Sequence, residues 1–597
     1  MRSKMISLLT GTTALALSGT MALAACPPAT VADMKGLSPT FPQQFELAEF
    51  ESAASCDLGF AENPAIADLN ARITGNPDLP PLAERLPEEP LVVAPYTAIG
   101  QYGGTLTGAS RGTESGTSDI LSVRHVNLVR YADDLKTIVP NVAKGWAWND
   151  DYTQLTFTLR KGHKWSDGAP FTAHDVAFWY NDILTNPAIT EKVPGRWLFN
   201  DEPAKVEAVD DLTVRFTFPA PQPNLINRWA MDYGQTFLPR HFLGRFMDKY
   251  NDDAAALRAE HGFASEKEAV DFYYGASDWK DVPSPLLKDP AKAAAIGTAV
   301  MPTLESHILV AEDSNGRRLV ANPYFHMVDT AGNQLPYINE IREDYIPERD
   351  VVNLKVMNGE ITWKQQAMEL NDFPLLKENE AKGNYTVTLA PTLGETVYYS
   401  FARNHKDPVL REIFNDPRFS QAMSMGLDRG EIREIVYLGQ GTPAQAIPVE
   451  ARTVDFVPEY ALTQFTQHDV DAANALLDEM GLTKGPGGKR MRPDGKPLAI
   501  RILFASQGSP VQLHELARGM WEDLGITVDL REVTSDEYRA TANANDVDVF
   551  IWKNDGISGP FIAQDATMLV PPFGDFFNPG GGFEWAKWHQ TDGAEGI

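Results

Sequence analysis

At 597 residues the chain exceeds the size at which one hydrophobic core stops growing, roughly 250–300 residues, so two or three packed units are expected. A hydrophobic share of 43% beside 22% charged residues excludes a largely disordered chain. The net charge of -29, from 81 acidic and 52 basic residues spread along the chain, repels phosphate backbones and excludes nucleic acid as a natural partner.

The N-terminus reads as an export signal over residues 1–24: Arg2 and Lys4 are positive, Met5 to Leu17 is apolar, and Ala22-Leu23-Ala24 offers a small-residue cleavage site. The mature chain is thus expected in the periplasm. No later segment approaches the roughly 20 consecutive apolar residues that span a bilayer. The two cysteines, Cys26 and Cys56, leave two readings. An oxidising compartment favours a disulfide between them. Alternatively, Leu23-Ala24-Ala25-Cys26 resembles a lipobox, in which Cys26 would carry a lipid anchor.

Residues 25–100 are rich in proline and alanine, with a helical stretch over Phe45 to Ala54, and read as an extension wrapped on the body. A strand is expected after the Gly103-Gly104 turn. Leu155, Phe157 and Leu159, then Val214, Phe216 and Phe218, alternate with polar residues as half-buried antiparallel strands do. Between them Thr172 caps a helix carrying Val176, Ala177 and Tyr180 on one side, which makes an α+β subdomain. Residues 241–300 are helix-rich and polar and are expected to decorate the surface.

In the last third, Leu498 to Phe504 leads into a helix with Leu513, Leu516, Ala517, Met520, Trp521 and Leu524 at helical spacing, stopped by Gly525. A strand over Ile526 to Leu530, a short helix over Asp536 to Ala542 and a strand over Val547 to Ile551 follow. That order predicts a parallel sheet, whose ligands lie beyond the carboxyl ends of the strands. The rule points to Trp552-Lys553-Asn554-Asp555. There Trp552 offers a stacking wall, Asn554 a hydrogen-bonding amide and Asp555 a carboxylate anchor.

No competing chemistry is complete. Gly487-Gly488-Lys489-Arg490 lacks the Ser/Thr and the first glycine of a phosphate loop, and His514-Glu515 lacks the second histidine of a zinc helix. No Gly-x-Ser-x-Gly elbow occurs. His163 reads as a satisfied or exposed histidine rather than a metal ligand. No cofactor, metal or catalytic residue is expected.

Three runs carry a family resemblance: Val139-Pro140-Asn141-Val142-Ala143-Lys144-Gly145-Trp146, Leu155 to Gly162, and Trp165-Ser166-Asp167-Gly168 through Val176. With Asn322-Pro323-Tyr324-Phe325, Asn358-Gly359-Glu360-Ile361 and Asp428-Arg429-Gly430-Glu431-Ile432 in order, the chain resembles the bacterial extracellular solute-binding proteins of family 5. The resemblance implies an α/β type II periplasmic-binding fold, two lobes on a hinge, with an extra α+β subdomain in lobe one. The expected layout is lobe one at 101–122 and 235–365, the subdomain at 123–234, lobe two at 366–558, and a return towards lobe one at 559–597 in a truncated sequence. It implies a monomeric receptor that hands a small molecule to the membrane subunits of an ABC importer and is not an enzyme. In peptide-binding members an aspartate shortly after a tryptophan on the last lobe-two strand pairs with the ligand's α-amino group, and Trp552 and Asp555 match that pattern. Tyr398 and Tyr399, at the start of lobe two, are further ligand candidates. Gly556-Ile557-Ser558-Gly559-Pro560 departs from the peptide receptors' Asp-Pro, so an oligosaccharide stands as the alternative ligand to an oligopeptide or similar amine, with an extracytoplasmic hydrolase as the reading from another class.

Overall fold

The computed structural model describes residues 24–597 except 113–117, 135, 192, 201, 233, 275–283, 298–299, 391–396, 446–457, 506–508 and 554–580. The expected signal peptide therefore lies, but for Ala24, outside the described residues.

The extension begins with Gln44–Glu46 (β1), which runs into the helix Leu47–Ala54 (α1). Phe45 and Phe50 from these elements are buried together with Leu86, Val92 and Ala94 in a core of their own. Cys56 joins that core and is bonded to Cys26, 30 residues earlier, so the structure contains the disulfide and the Cys26 sulfur is occupied. Closing a loop of that length restricts the unfolded chain by about 3–4 kcal/mol. Leu91–Val93 (β2) lies between β1, antiparallel, and Met327–Asp329, parallel, which stitches the extension into the body. Glu46 reinforces the seam by a two-pronged ion pair with the buried Arg160, at 2.7 and 2.8 Å.

Gly103–Ser110 (β3) opens lobe one. The subdomain follows as Ala143–Trp148 (β4), Gln154–Leu159 (β5), the helix Ala173–Phe178 (α2), Lys205–Asp210 (β6) and Thr213–Thr217 (β7). Its antiparallel sheet has the order β6-β7-β5-β4, with Val214 opposite Phe157 and Phe216 opposite Leu155, as the alternation predicts. Thr172 and Asp175 cap the first turn of α2 reciprocally. The described residues of 241–300 form short helices as expected, but they are more than decoration. Phe242, Leu243, Phe246, Val270 and Phe272 enter the same core as Phe157 and Trp229, because each short helix turns one apolar face inward.

Lobe one continues through His307–Asp313 (β8), Gly316–Ala321 (β9) and Ile338–Tyr345 (β10) in a sheet of order β8-β9-β10-β3. β3 is its edge strand, parallel to β10. The helices Arg349–Met357 (α3) and Phe373–Glu378 (α4) then pack over that edge. Leu376, with the partly buried Met368, Tyr385 and Val387, shares a core with Ala109, Val352 and Val356, so the chain is still on lobe one at Val387, beyond the boundary expected at 366.

Lobe two contains Val397–Phe401 (β11), Ala499–Phe504 (β12), the helix Val511–Asp523 (α5), Thr527–Glu532 (β13), the helix Ser535–Asn543 (α6) and Val549–Lys553 (β14). β12 and β13 pair in parallel, whereas β14 ladders antiparallel with β11. Leu513, Ala517 and Trp521 are the buried face of α5, as their spacing predicts. Arg490 is fully buried, binding Asp478 and the carbonyl of Leu524, so the glycine turn before it serves folding. The final helix, Phe583–Gln590 (α7), is held on lobe two: Asn404 accepts the backbone N–H of Glu584, and Phe583 packs on the cluster containing Tyr538 and Phe550. The segment 581–590 thus stays with lobe two rather than returning to lobe one. Among the described residues no helix is long and apolar enough to cross a membrane.

Candidate functional site

The strand pair β11 and β14 carries the expected ligand residues Tyr398, Tyr399 and Trp552. Its register sets Tyr398 opposite Trp552 and Tyr399 opposite Ile551, and alternation sends the two pairs to opposite faces. Trp552 lies at the carboxyl end of β14, half-buried, and stacks on Tyr538 of α6 at 5.5 Å between ring centroids and 26° between planes. The Tyr538 hydroxyl accepts the backbone N–H of Ile551 at 2.8 Å, so the ring under Trp552 is fixed by packing and by a hydrogen bond. Burial pushes the Tyr538 phenol well above its ordinary range. Tyr398 shares this face and is half-buried beside Trp552.

Tyr399 does not join them. Its ring meets Trp521 at 5.0 Å, and its hydroxyl lies 2.9 Å from Nδ1 of His514. The structure therefore places Tyr399 in the lobe-two interior, because adjacent residues of a strand cannot face the same side. Burial raises its phenol far above the usual value. On the other side of the ring, Nε2 of His514 lies 2.6 Å from Ser509 Oγ. This serine and histidine have a phenol where a hydrolytic triad has a carboxylate. Burial also holds His514 at about 3, far from the near-neutral value that suits a general base. Asn554 and Asp555 fall outside the described residues.

A second cluster lies on lobe one, past the carboxyl end of β3. Asp119, just past the segment that follows β3, is buried and paired with the equally buried Lys364 at 2.8 Å. Its other oxygen accepts the backbone N–H groups of Gln365 and Gln366 at 3.2 and 2.8 Å. The chain clamped in this way continues to Asn371, whose side-chain amide donates to Gln512 Oε1 at 3.1 Å. Gln512 stands in the first turn of α5, past the carboxyl end of β12, so this bond crosses from lobe one to lobe two. In an open α/β sheet ligands bind beyond the carboxyl ends of the strands, which is where Trp552, Gln512 and Asp119 stand in their own sheets.

The model for "Bacterial extracellular solute-binding proteins, family 5 Middle" matches residues 137–265 and 311–567, more than half of the chain. The chain belongs to this family. A periplasmic alpha-galactoside-binding protein of Rhizobium meliloti (strain 1021) is 27% identical over 531 residues, covering 83% of this chain and 71% of that one. The periplasmic oligopeptide-binding protein OppA of Escherichia coli (strain K12) is 24% identical over 413 residues, 66% of this chain and 62% of its own. Among solved structures, an oligopeptide-binding protein OppA superposes with a TM-score of 0.64 at 29% identity, over 92% of this chain and 84% of that one. The periplasmic binding protein MelB of Agrobacterium fabrum C58, in complex with stachyose, superposes with a TM-score of 0.62 at 23% identity, over 87% and 77%. The family and these superpositions establish the two-lobed type II periplasmic-binding fold and a solute-binding role in ABC transport.

Sequence reasoning singled out Trp552 and Tyr398 as candidates and gave no hint of the pairings of Asp119 with Lys364 or of Asn371 with Gln512. Asp119 and Lys364 are 245 residues apart, and Asn371 and Gln512 are 141 apart. No local spacing carries such pairings.

Proposed function

We propose that this family 5 protein reversibly captures an oligosaccharide in the interlobe cleft and presents it to the membrane subunits of an ABC importer, without covalent chemistry. The observation that supports this reading is the chemistry of the side chains we assign to the cleft. Trp552 and Tyr398 supply aromatic surface and Asn371 and Gln512 neutral amides, while the charges of Lys364 and Asp119 are spent on each other. Aromatic platforms with oriented amides suit the C–H faces and hydroxyls of a sugar and demand no ionic partner. The long match to an alpha-galactoside-binding relative supports the same reading. An amine-bearing oligopeptide is the second reading, favoured by the Trp552-x-x-Asp555 spacing and by the peptide-binding relatives.

Titration calorimetry with stachyose and other α-galactosides, and with free-amine tetrapeptides, separates the two. The sugar reading expects one α-galactoside bound per chain, recovered unchanged, and no peptide heat. Saturable peptide binding that disappears in Asp555→Ala, with no response to any sugar, would establish the peptide reading instead.

A further inference from the structure

We propose that Trp363 is a second stacking platform, supplied by lobe one, for a sugar ring held in the cleft; the assignment rests on the oligosaccharide reading above. Its side chain is 51% exposed, an unusual condition for an indole, which ordinarily buries most of its surface. The backbone beneath it is not loose. The N–H groups of Thr362 and Trp363 both donate to the carbonyl of Thr107 on β3, at 2.8 and 3.3 Å, and the Thr107 hydroxyl donates to the carbonyl of Glu360 at 2.8 Å. The next three residues are tied to the buried Asp119 through the Lys364 ammonium and the N–H groups of Gln365 and Gln366. Ala367 then sits at φ 57°, a left-handed conformation that costs a residue with a β-carbon and persists only where the surroundings impose it.

A rigid, strained segment that leaves an indole in water and ends at the hydrogen bond crossing to Gln512 has the properties of a pre-organised binding surface. The one cation of this stretch, Lys364, is withdrawn into its ion pair, so the segment offers an aromatic face next in sequence to the neutral residues Gln365 and Gln366. That combination recognises an uncharged ring with hydroxyls at its edge and an apolar C–H face. Trp552 from lobe two and Trp363 from lobe one would then bind the same oligosaccharide from the two sides of the cleft.

The test is calorimetric titration of stachyose into the full chain and into Trp363→Ala, Trp363→Leu and Trp363→Phe, with melting temperatures recorded for each. Because the side chain is exposed, all three variants should melt with the wild type. Loss of the π face in the alanine and leucine variants should weaken binding by about tenfold or more, and phenylalanine should hold it to within about threefold. Trp588→Ala, which removes the 52% exposed indole of α7, should bind as the wild type does. A wild type that binds stachyose beside a Trp363→Ala variant that binds it equally well overturns this assignment and leaves the oligosaccharide reading intact. A wild type that takes no α-galactoside overturns that reading, and the assignment falls with it.

Discussion

Between pH 6 and pH 5 the protein is expected to lose on the order of a few kcal/mol of stability while taking up several protons on unfolding. His163, His307, His326 and His514 are all buried, at 1%, 3%, 0% and 0% exposure. Burial holds His163 and His514 at about 3, His307 at about 4 and His326 well below its ordinary value of 6.5. Arg160 adds to the effect at His163 and His326, and Arg124 at His307. The rings of His163 and His326 lie 4.8 Å apart, tilted by 41°, and neither nitrogen of His163 has a hydrogen-bond partner among the described residues. His163 is therefore neither satisfied nor exposed, contrary to the reading of the sequence.

Each of these imidazoles is neutral in the fold and takes a proton in the unfolded chain below about pH 6.5. Their contribution is complete above that value and is lost as the pH falls towards the folded values. At pH 5.5 the loss is on the order of 1 kcal/mol per group, so the four together remove a substantial part of the roughly 5–15 kcal/mol that stabilises a typical domain. His125, only half-buried, is lowered in the same direction. Asp175 opposes them, because burial raises it and its folded form keeps a proton that the unfolded form releases, but it is one group against four. Guanidinium unfolding at a series of pH values reads the proton uptake from the slope of stability against pH. Replacing His163 with Phe should remove one proton from that slope. Stability that stays level from pH 7 to pH 5.5 would refute the assignment of these four as buried neutral groups.

Glu46→Ala should cost about 3–5 kcal/mol, because it leaves the guanidinium of Arg160 buried and without its counter-ion. Glu46 also belongs to the reciprocal cap of α1, so the same change loosens the helix carrying Phe50. The extension should then be cleaved by added protease under conditions in which the wild type resists. A variant that loses less than about 1 kcal/mol and keeps its resistance would mean that the disulfide and the β2 seam hold the extension without this pair.

Much of the fold was legible because it is written in local period. The two-residue alternation of β5 and β7, the Thr172 cap and the apolar face of α5 each depend on neighbours within a few residues. What the period cannot report is the partner. β14 reads as the third strand of a parallel series and does lie beside β12, yet its backbone ladder is with β11, more than 140 residues earlier. Tyr398 and Tyr399 show the same limit at the site. Both are aromatic and adjacent, and only the strand register reveals that one shares a face with Trp552 and the other bonds to His514 on the opposite face. The helices of 241–300 looked polar in sum, and their inward residues became visible only once the core they complete was formed.

The measurement that tests the central claim most directly is native mass spectrometry of the purified full chain, followed by denaturation and identification of the released small molecule. Reversible capture in the cleft predicts a single neutral oligosaccharide per chain, released intact and exchanged by added stachyose. A covalent adduct, a turnover product of added stachyose, or a chain that neither carries nor takes up any solute would contradict the account.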